Sequence, residues 1–128
     1  MIPFPAATIA ELMAQLPPPI ARIVTAARKQ IAAVVPQAVE RLRPGWGFIG
    51  YNAPAYFAFI VPEPARVRLG FEWGVLLDDR TGLLTGAGSQ VRYAVLPTAA
   101  AVRSPALADL LREAAALPPR SAPRRRHP

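Results

Sequence analysis

Tyr56-Phe57-Ala58-Phe59-Ile60-Val61, then Pro62-Glu63-Pro64-Ala65, then Arg66-Val67-Arg68-Leu69-Gly70-Phe71-Glu72-Trp73, is the stretch that decides how this chain folds. In its second half Val67, Leu69, Phe71 and Trp73 alternate with Arg66, Arg68, Gly70 and Glu72. A period of two marks a strand with one buried face. The first half is apolar on both faces, as in a central strand. Four residues with two prolines join the halves as a hairpin loop. The apolar face of this hairpin must be covered by elements on either side.

Upstream, Thr8-Ile9-Ala10-Glu11 has the form of a capping box, in which the Thr8 hydroxyl accepts from a free backbone amide and Glu11 reaches back. Ile9, Leu12, Met13 and Leu16 keep a helical period until Pro17-Pro18-Pro19. Ile20, Ile23, Val24, Ala27, Ile31 and Val34 then form the clearest apolar stripe in the chain, which predicts a helix over about 20–34 packed on the sheet. Pro36 ends it. Gln37 to Arg43 reads as a short helix before Pro44-Gly45, and Trp46 to Tyr51 as a first short strand.

Downstream, Val75-Leu76-Leu77 reads as a further short strand, Asp78 to Gly82 as a turn, and Val91 to Leu96 as the last strand. Ser104-Pro105 opens a helix whose stripe is Leu107, Leu110, Leu111 and Ala114. The order is helix, helix, strands, helix. It predicts an α+β fold of two layers: an antiparallel sheet of four to five strands packed against N- and C-terminal helices. A single domain is expected over 1–117, with a disordered Pro/Arg-rich tail over 118–128. If the helices cover the face bearing Val67, Leu69 and Phe71, the opposite face carries Arg66, Arg68 and Arg92.

The chain has 128 residues, no cysteine and a formal charge of +7. Disulfides, thiolate metal sites and cysteine nucleophiles are excluded. The N-terminus has no basic region followed by an apolar core, and the longest apolar run is far short of the roughly 20 residues of a membrane helix. A cytoplasmic protein without membrane association is the expectation. Residues 1–117 carry eleven basic against eight acidic side chains, so the domain is only +3; Arg120 and Arg124-Arg125-Arg126 supply the rest. Fourteen of the fifteen basic residues are arginine, which with many alanines and prolines fits the residue usage of a GC-rich genome.

Leu69-Gly70-Phe71, Gly74, Leu77-Asp78-Asp79, Gly82-Leu83-Leu84, Gly86, Gly88 and Arg92 occur in an order and spacing that resemble the YdhG-like domain family, as do Trp46-Gly47, Ile49-Gly50-Tyr51 and Tyr56-Phe57. The likeness spans roughly residues 15 to 117. It implies an α+β domain of a family largely without assigned function, one branch of which is proposed to act as a frataxin-like iron chaperone. The chain departs from the pattern at Ser89 and Gln90, where similar proteins often carry basic residues, which weakens any anion contact there. It is also poor in acids, which counts against iron.

Several residues are candidates for a site. Successive amides of the Gly86-Ala87-Gly88 turn can form a nest for a phosphate or carboxylate, with Arg92 just beyond it as a charged fork. Arg66 and Arg68 project from one strand face and suit an anionic ligand or acidic partner. Tyr56 is the aromatic residue best placed for the open face. Asp78-Asp79 with Glu72 and Glu63 forms the only acidic neighbourhood, and its composition is that of an ordinary turn, so no metal site and no cofactor are expected. His127 is the only histidine and lies beside the chain end, which leaves no histidine for a catalytic triad in the domain. The sequence therefore points to a non-enzymatic binding or interaction module holding an anionic small molecule or acidic protein. An iron chaperone is the first alternative. The second is weak nucleic-acid binding through the basic tail, nucleic acid not being an expected partner of the domain itself.

Overall fold

The computed structural model describes residues 2–119. Three helices and six strands follow in the order α1 (Ile9–Gln15), α2 (Pro18–Val34), β1 (Val39–Arg43), β2 (Phe48–Asn52), β3 (Tyr56–Pro62), β4 (Val67–Phe71), β5 (Leu84–Thr85), β6 (Arg92–Leu96) and α3 (Pro105–Ala116). The strands form one antiparallel sheet in the order β1-β2-β3-β4-β6-β5. The first four make a meander; β6 then pairs with β4, which leaves the two-residue β5 at the outer edge. Strand count exceeds the expected four to five because β1 and β5 were not expected as strands, while 75–77 is not one.

The N-terminal capping reading holds at the first helix. The Thr8 hydroxyl accepts from the Glu11 amide at 3.1 Å, while the Glu11 carboxylate reaches back to the Ala7 amide at 2.8 Å. Proline occupies the first turn of α2, where a missing amide leaves no intrahelical bond unmade. The α2 stripe buries Ile20, Ile23, Val24, Ala27 and Ile31. At about 1.5–3 kcal/mol per large aliphatic side chain, this face outweighs any intrinsic helix preference. Ser104 caps α3 by accepting from the Leu107 amide at 3.2 Å, and Leu107, Leu110, Leu111 and Ala114 turn inward.

These stripes meet one face of the sheet. Ile49, Ile60, Leu69 and Ala94 lie abreast on β2, β3, β4 and β6, and all are buried in the same core as the helix stripes. Val67 and Phe71 point the same way and are fully buried, as the alternation around Arg68 requires.

Two local readings are corrected. Gln37 to Arg43 is not a helix: Val39 to Arg43 pairs with β2 along its whole length. Glu, Arg and Leu favour helix only weakly, and the pairing overrides that preference because Leu42 enters the core layer opposite Ile49. Val75-Leu76-Leu77 is not a strand: Gly74–Leu76 forms a single 3-10 turn, closed by the Leu77 amide on the Gly74 carbonyl. The sequence placed the tail over 118–128, and of this only Pro118 and Pro119 fall among the described residues.

A β-bulge breaks the alternation in β3. Tyr51 pairs with Ala58 and Asn52 with Tyr56, so Phe57 is the extra residue. Phe57 and Ala58 both belong to the helix-side core. Tyr56 is thereby turned to the opposite face.

Candidate functional site

The face away from the helices carries a connected set of aromatic rings. Trp46 stacks near Phe48 with centroids 6.0 Å apart; Phe48 meets Phe59 at 4.7 Å; Tyr56 lies parallel to Phe59 at 5.9 Å; and Tyr93 meets Phe59 edge-on at 5.9 Å. These are the spacings at which ring pairs attract beyond simple burial. Phe59 is buried yet stands outside the helix-side core, so it is the floor of a second, smaller cluster. Trp46 is its most open member, 71% exposed in the turn before β2.

Two glycines allow this paving. A Cβ at Gly70 would sit 2.3 Å from the tip of the Phe59 ring, and one at Gly50 would sit 2.6 Å from the Tyr56 ring. Both rings lie flat over bare backbone, which only glycine permits at that approach. The result is a shallow groove of about 600 Å³ lined by Arg43, Trp46, Phe48, Tyr56, Phe59 and Tyr93, with Glu72 and Val91 at the end where β4 leaves the sheet and β6 enters it. This volume lies within the range of small-molecule sites.

Two guanidinium groups cover rings of the cluster. Arg43 lies 4.7 Å from the centroid of Tyr56 and Arg68 lies 4.2 Å from that of Tyr93. Arg68 is also bound to the Glu63 carboxylate at 3.2 Å, and the same carboxylate takes Arg66 at 2.7 Å. Arg43 forms no ion pair among the described residues; its neighbour on the same face, Arg41, is exposed and likewise without an ion pair. The Nε atoms of Arg43 and Arg68 and the Tyr56 hydroxyl are enclosed without a hydrogen-bond partner among the described residues. Burial pushes the Tyr56 phenol well above its ordinary value, so it stays a neutral hydroxyl. At the far end Glu72 accepts from Gln90 at 3.0 Å.

The structure separates the residues that the sequence had grouped. Tyr56 lines the groove, and Arg68 stacks on a ring of the same cluster. Arg66 stands beside Arg68 only through their common Glu63. Arg92 does not join them: it pairs opposite Phe71, so its side chain leaves β6 on the helix side. Its guanidinium turns back to donate to the carbonyls of Gly88 and Val91. The Gly86–Gly88 turn is exposed, and the fork expected to hold an anion with it is instead engaged with its backbone oxygens. Arg41, Arg43, Trp46 and Phe48 were missed, the arginines because their segment was read as helix. The alternation of Val39, Arg41 and Arg43 with Glu40 and Leu42 was the available signal.

The acidic residues have structural duties. Asp79 accepts from the Leu83 and Leu84 amides at 2.8 and 2.9 Å, Asp78 pairs with Arg80 at 2.7 Å, and Glu113 accepts from the Asp78 amide at 3.0 Å. No three His, Cys, Asp or Glu residues are grouped to hold a metal ion among the described residues. No helix among them is long and apolar enough to cross a membrane. In comparisons with protein-family models, curated proteins and solved structures, nothing matches the chain.

Proposed function

We propose that this protein is a small binding module that holds an anionic ligand, or the acidic part of a partner, on the open face of its sheet. The observation that carries this reading is Arg43. It is an arginine held flat over Tyr56 at the wall of an aromatic groove, without a carboxylate to neutralise it among the described residues. Arg41, two residues earlier, extends the positive edge along β1. Cation and groove together offer charge and shape to an anion at one place. Arg66, Arg68 and Arg92, the arginines singled out by sequence, play supporting or local roles in this reading.

Membership of the YdhG-like family and a cytoplasmic setting are proposed alongside it. The iron-chaperone alternative asks for converging carboxylates, whereas Asp78 and Asp79 each serve the turn they stand in. The test is a calorimetric titration with polyphosphate. The unaltered protein binds, Arg41→Ala with Arg43→Ala binds at least tenfold more weakly, and Arg92→Ala binds as before. Equal binding by all three proteins, or none by the unaltered one, refutes the reading.

A further inference from the structure

We infer that the ligand of this groove is single-stranded nucleic acid, with bases stacked on the Trp46–Phe48 side and phosphates held by Arg41 and Arg43. The inference rests on the anion-binding reading above and adds the chemistry of the rest of the ligand. It departs from the expectation drawn from sequence, which confined nucleic acid to the tail.

Three observations carry it. The first is the paving itself. An anion alone needs the arginines and makes no use of five neighbouring rings, and acidic side chains carry no aromatic face to stack on them. Bases do, and base–aromatic stacking on a sheet is a recurrent way of holding single strands because every base has a π-face. The second is the exposure of Trp46. A tryptophan 71% open to solvent is unusual for so large an apolar ring. Its position beside Phe48, 6.0 Å away, makes it the rim of a platform rather than an isolated surface residue.

The third is the spacing of charge and rings. Arg43 on β1 directly faces Phe48 on β2, so a strand whose bases lie on Phe48 passes its phosphates along β1, where Arg41 follows on the same face.

The experiment is a fluorescence titration of the full chain with oligo-dT and oligo-rU of about ten nucleotides, and with polyphosphate of matched charge. Binding of the oligonucleotides quenches Trp46, a signal absent in Trp46→Phe if Trp73 is not also quenched. Trp46→Ala, a change at an exposed turn that spares the core, is expected to weaken oligonucleotide binding by roughly tenfold, given the usual worth of one stacked base, and to weaken polyphosphate binding far less. Arg43→Ala weakens both. With Arg41 and Arg43 as the groove's phosphate contacts, the log–log salt slope of a chain lacking residues 120–128 is about −1.4, from roughly −0.7 per contact on a single strand. A preference between oligo-dT and oligo-rU assigns DNA or RNA within the same chemistry. If polyphosphate binds as tightly as the oligonucleotides and Trp46→Ala changes neither, the inference falls and the anion-binding reading stands. If removing residues 120–128 abolishes oligonucleotide binding, with Trp46→Ala neutral, the inference also falls. If nothing binds, both fall.

Discussion

Gly70→Ala tests whether the open face is a packed surface or a loose one. The backbone at Gly70 is ordinary strand, so alanine brings no conformational strain, and elsewhere in a strand it would be a gain of about 0.5–1 kcal/mol through reduced freedom of the unfolded chain. The added methyl, however, would meet three Phe59 ring carbons at 2.3, 2.4 and 2.8 Å. Carbon atoms rest at about 3.5–4.0 Å, so the ring must withdraw by about 1 Å or more. It cannot do so alone, because Phe48, Tyr56 and Tyr93 surround it. Overpacking of this kind costs about 1–3 kcal/mol. Set against the gain, a net loss of about 1–2 kcal/mol follows, or a fall in Tm of roughly 3–10 °C for a chain of this size. Thermal unfolding followed by circular dichroism gives the value. Gly45→Ala is the control, since nothing lies within 4 Å of a Cβ there. In the double variant Phe59→Leu with Gly70→Ala, the smaller side chain yields, and the two costs should add to less than their sum. A Tm for Gly70→Ala equal to that of Gly45→Ala would refute the reasoning and show the ring free to move.

Two further changes probe the helix side and the turn. Glu40 accepts from Arg28 at 2.9 and 3.0 Å and from the Tyr51 hydroxyl at 2.6 Å, which ties α2 to the first two strands. The Arg28 bonds hold the Glu40 carboxyl below its ordinary range. A lowered folded value means stability that is present above the unfolded value of about 4.3 and is lost as pH falls through the folded one. Urea unfolding should therefore find Glu40→Gln less stable by about 1–2 kcal/mol near neutral pH, the pair being half-buried, with the gap to the unaltered protein narrowing as pH falls below the unfolded value; a gap independent of pH contradicts this. Asp79→Ala removes the acceptor of two amides, so hydrogen exchange at Leu83 and Leu84 should quicken by about fivefold or more, with a loss of about 1 kcal/mol overall; unchanged exchange there would show the turn held by other means.

The helix-covered face was legible from sequence because burial writes a period. Ile20, Ile23, Val24, Ala27 and Ile31 on α2, and Val67, Leu69 and Phe71 on β4, occupy the positions their spacing predicts. The Thr8 and Ser104 caps were legible for the same reason, each hydroxyl having few other uses at a helix start. The segment Val39–Arg43 was not, since five residues suit a strand or one helical turn and only the partner strand decides. The site was less legible than the fold. Arg66 and Arg68 were visible on the alternating strand, but their common Glu63 lies across a loop. Arg92 was placed one face wrong, because alternation within β6 fixes which residues go together and not which of the two sets meets the helices. Ring-on-ring contacts among Phe48, Phe59 and Tyr93 join three strands, and no local pattern announces them.

The extra residue at Phe57 has a consequence for how this sequence can vary. Along β3 and β4 the positions facing the helices fix whether the chain folds, while their alternate neighbours fix what the outer surface offers. Tolerance to substitution should therefore flicker from residue to residue, and at Phe57 the rhythm slips by one beat. Losing that single residue would restore the regular alternation with Tyr56 still on the outer face and strip the helix-side core of one ring, leaving Ile60 and Leu69 where they are. A one-residue deletion here is thus a change of core more than a change of surface, so the outer face can persist while the packing beneath it is rebuilt.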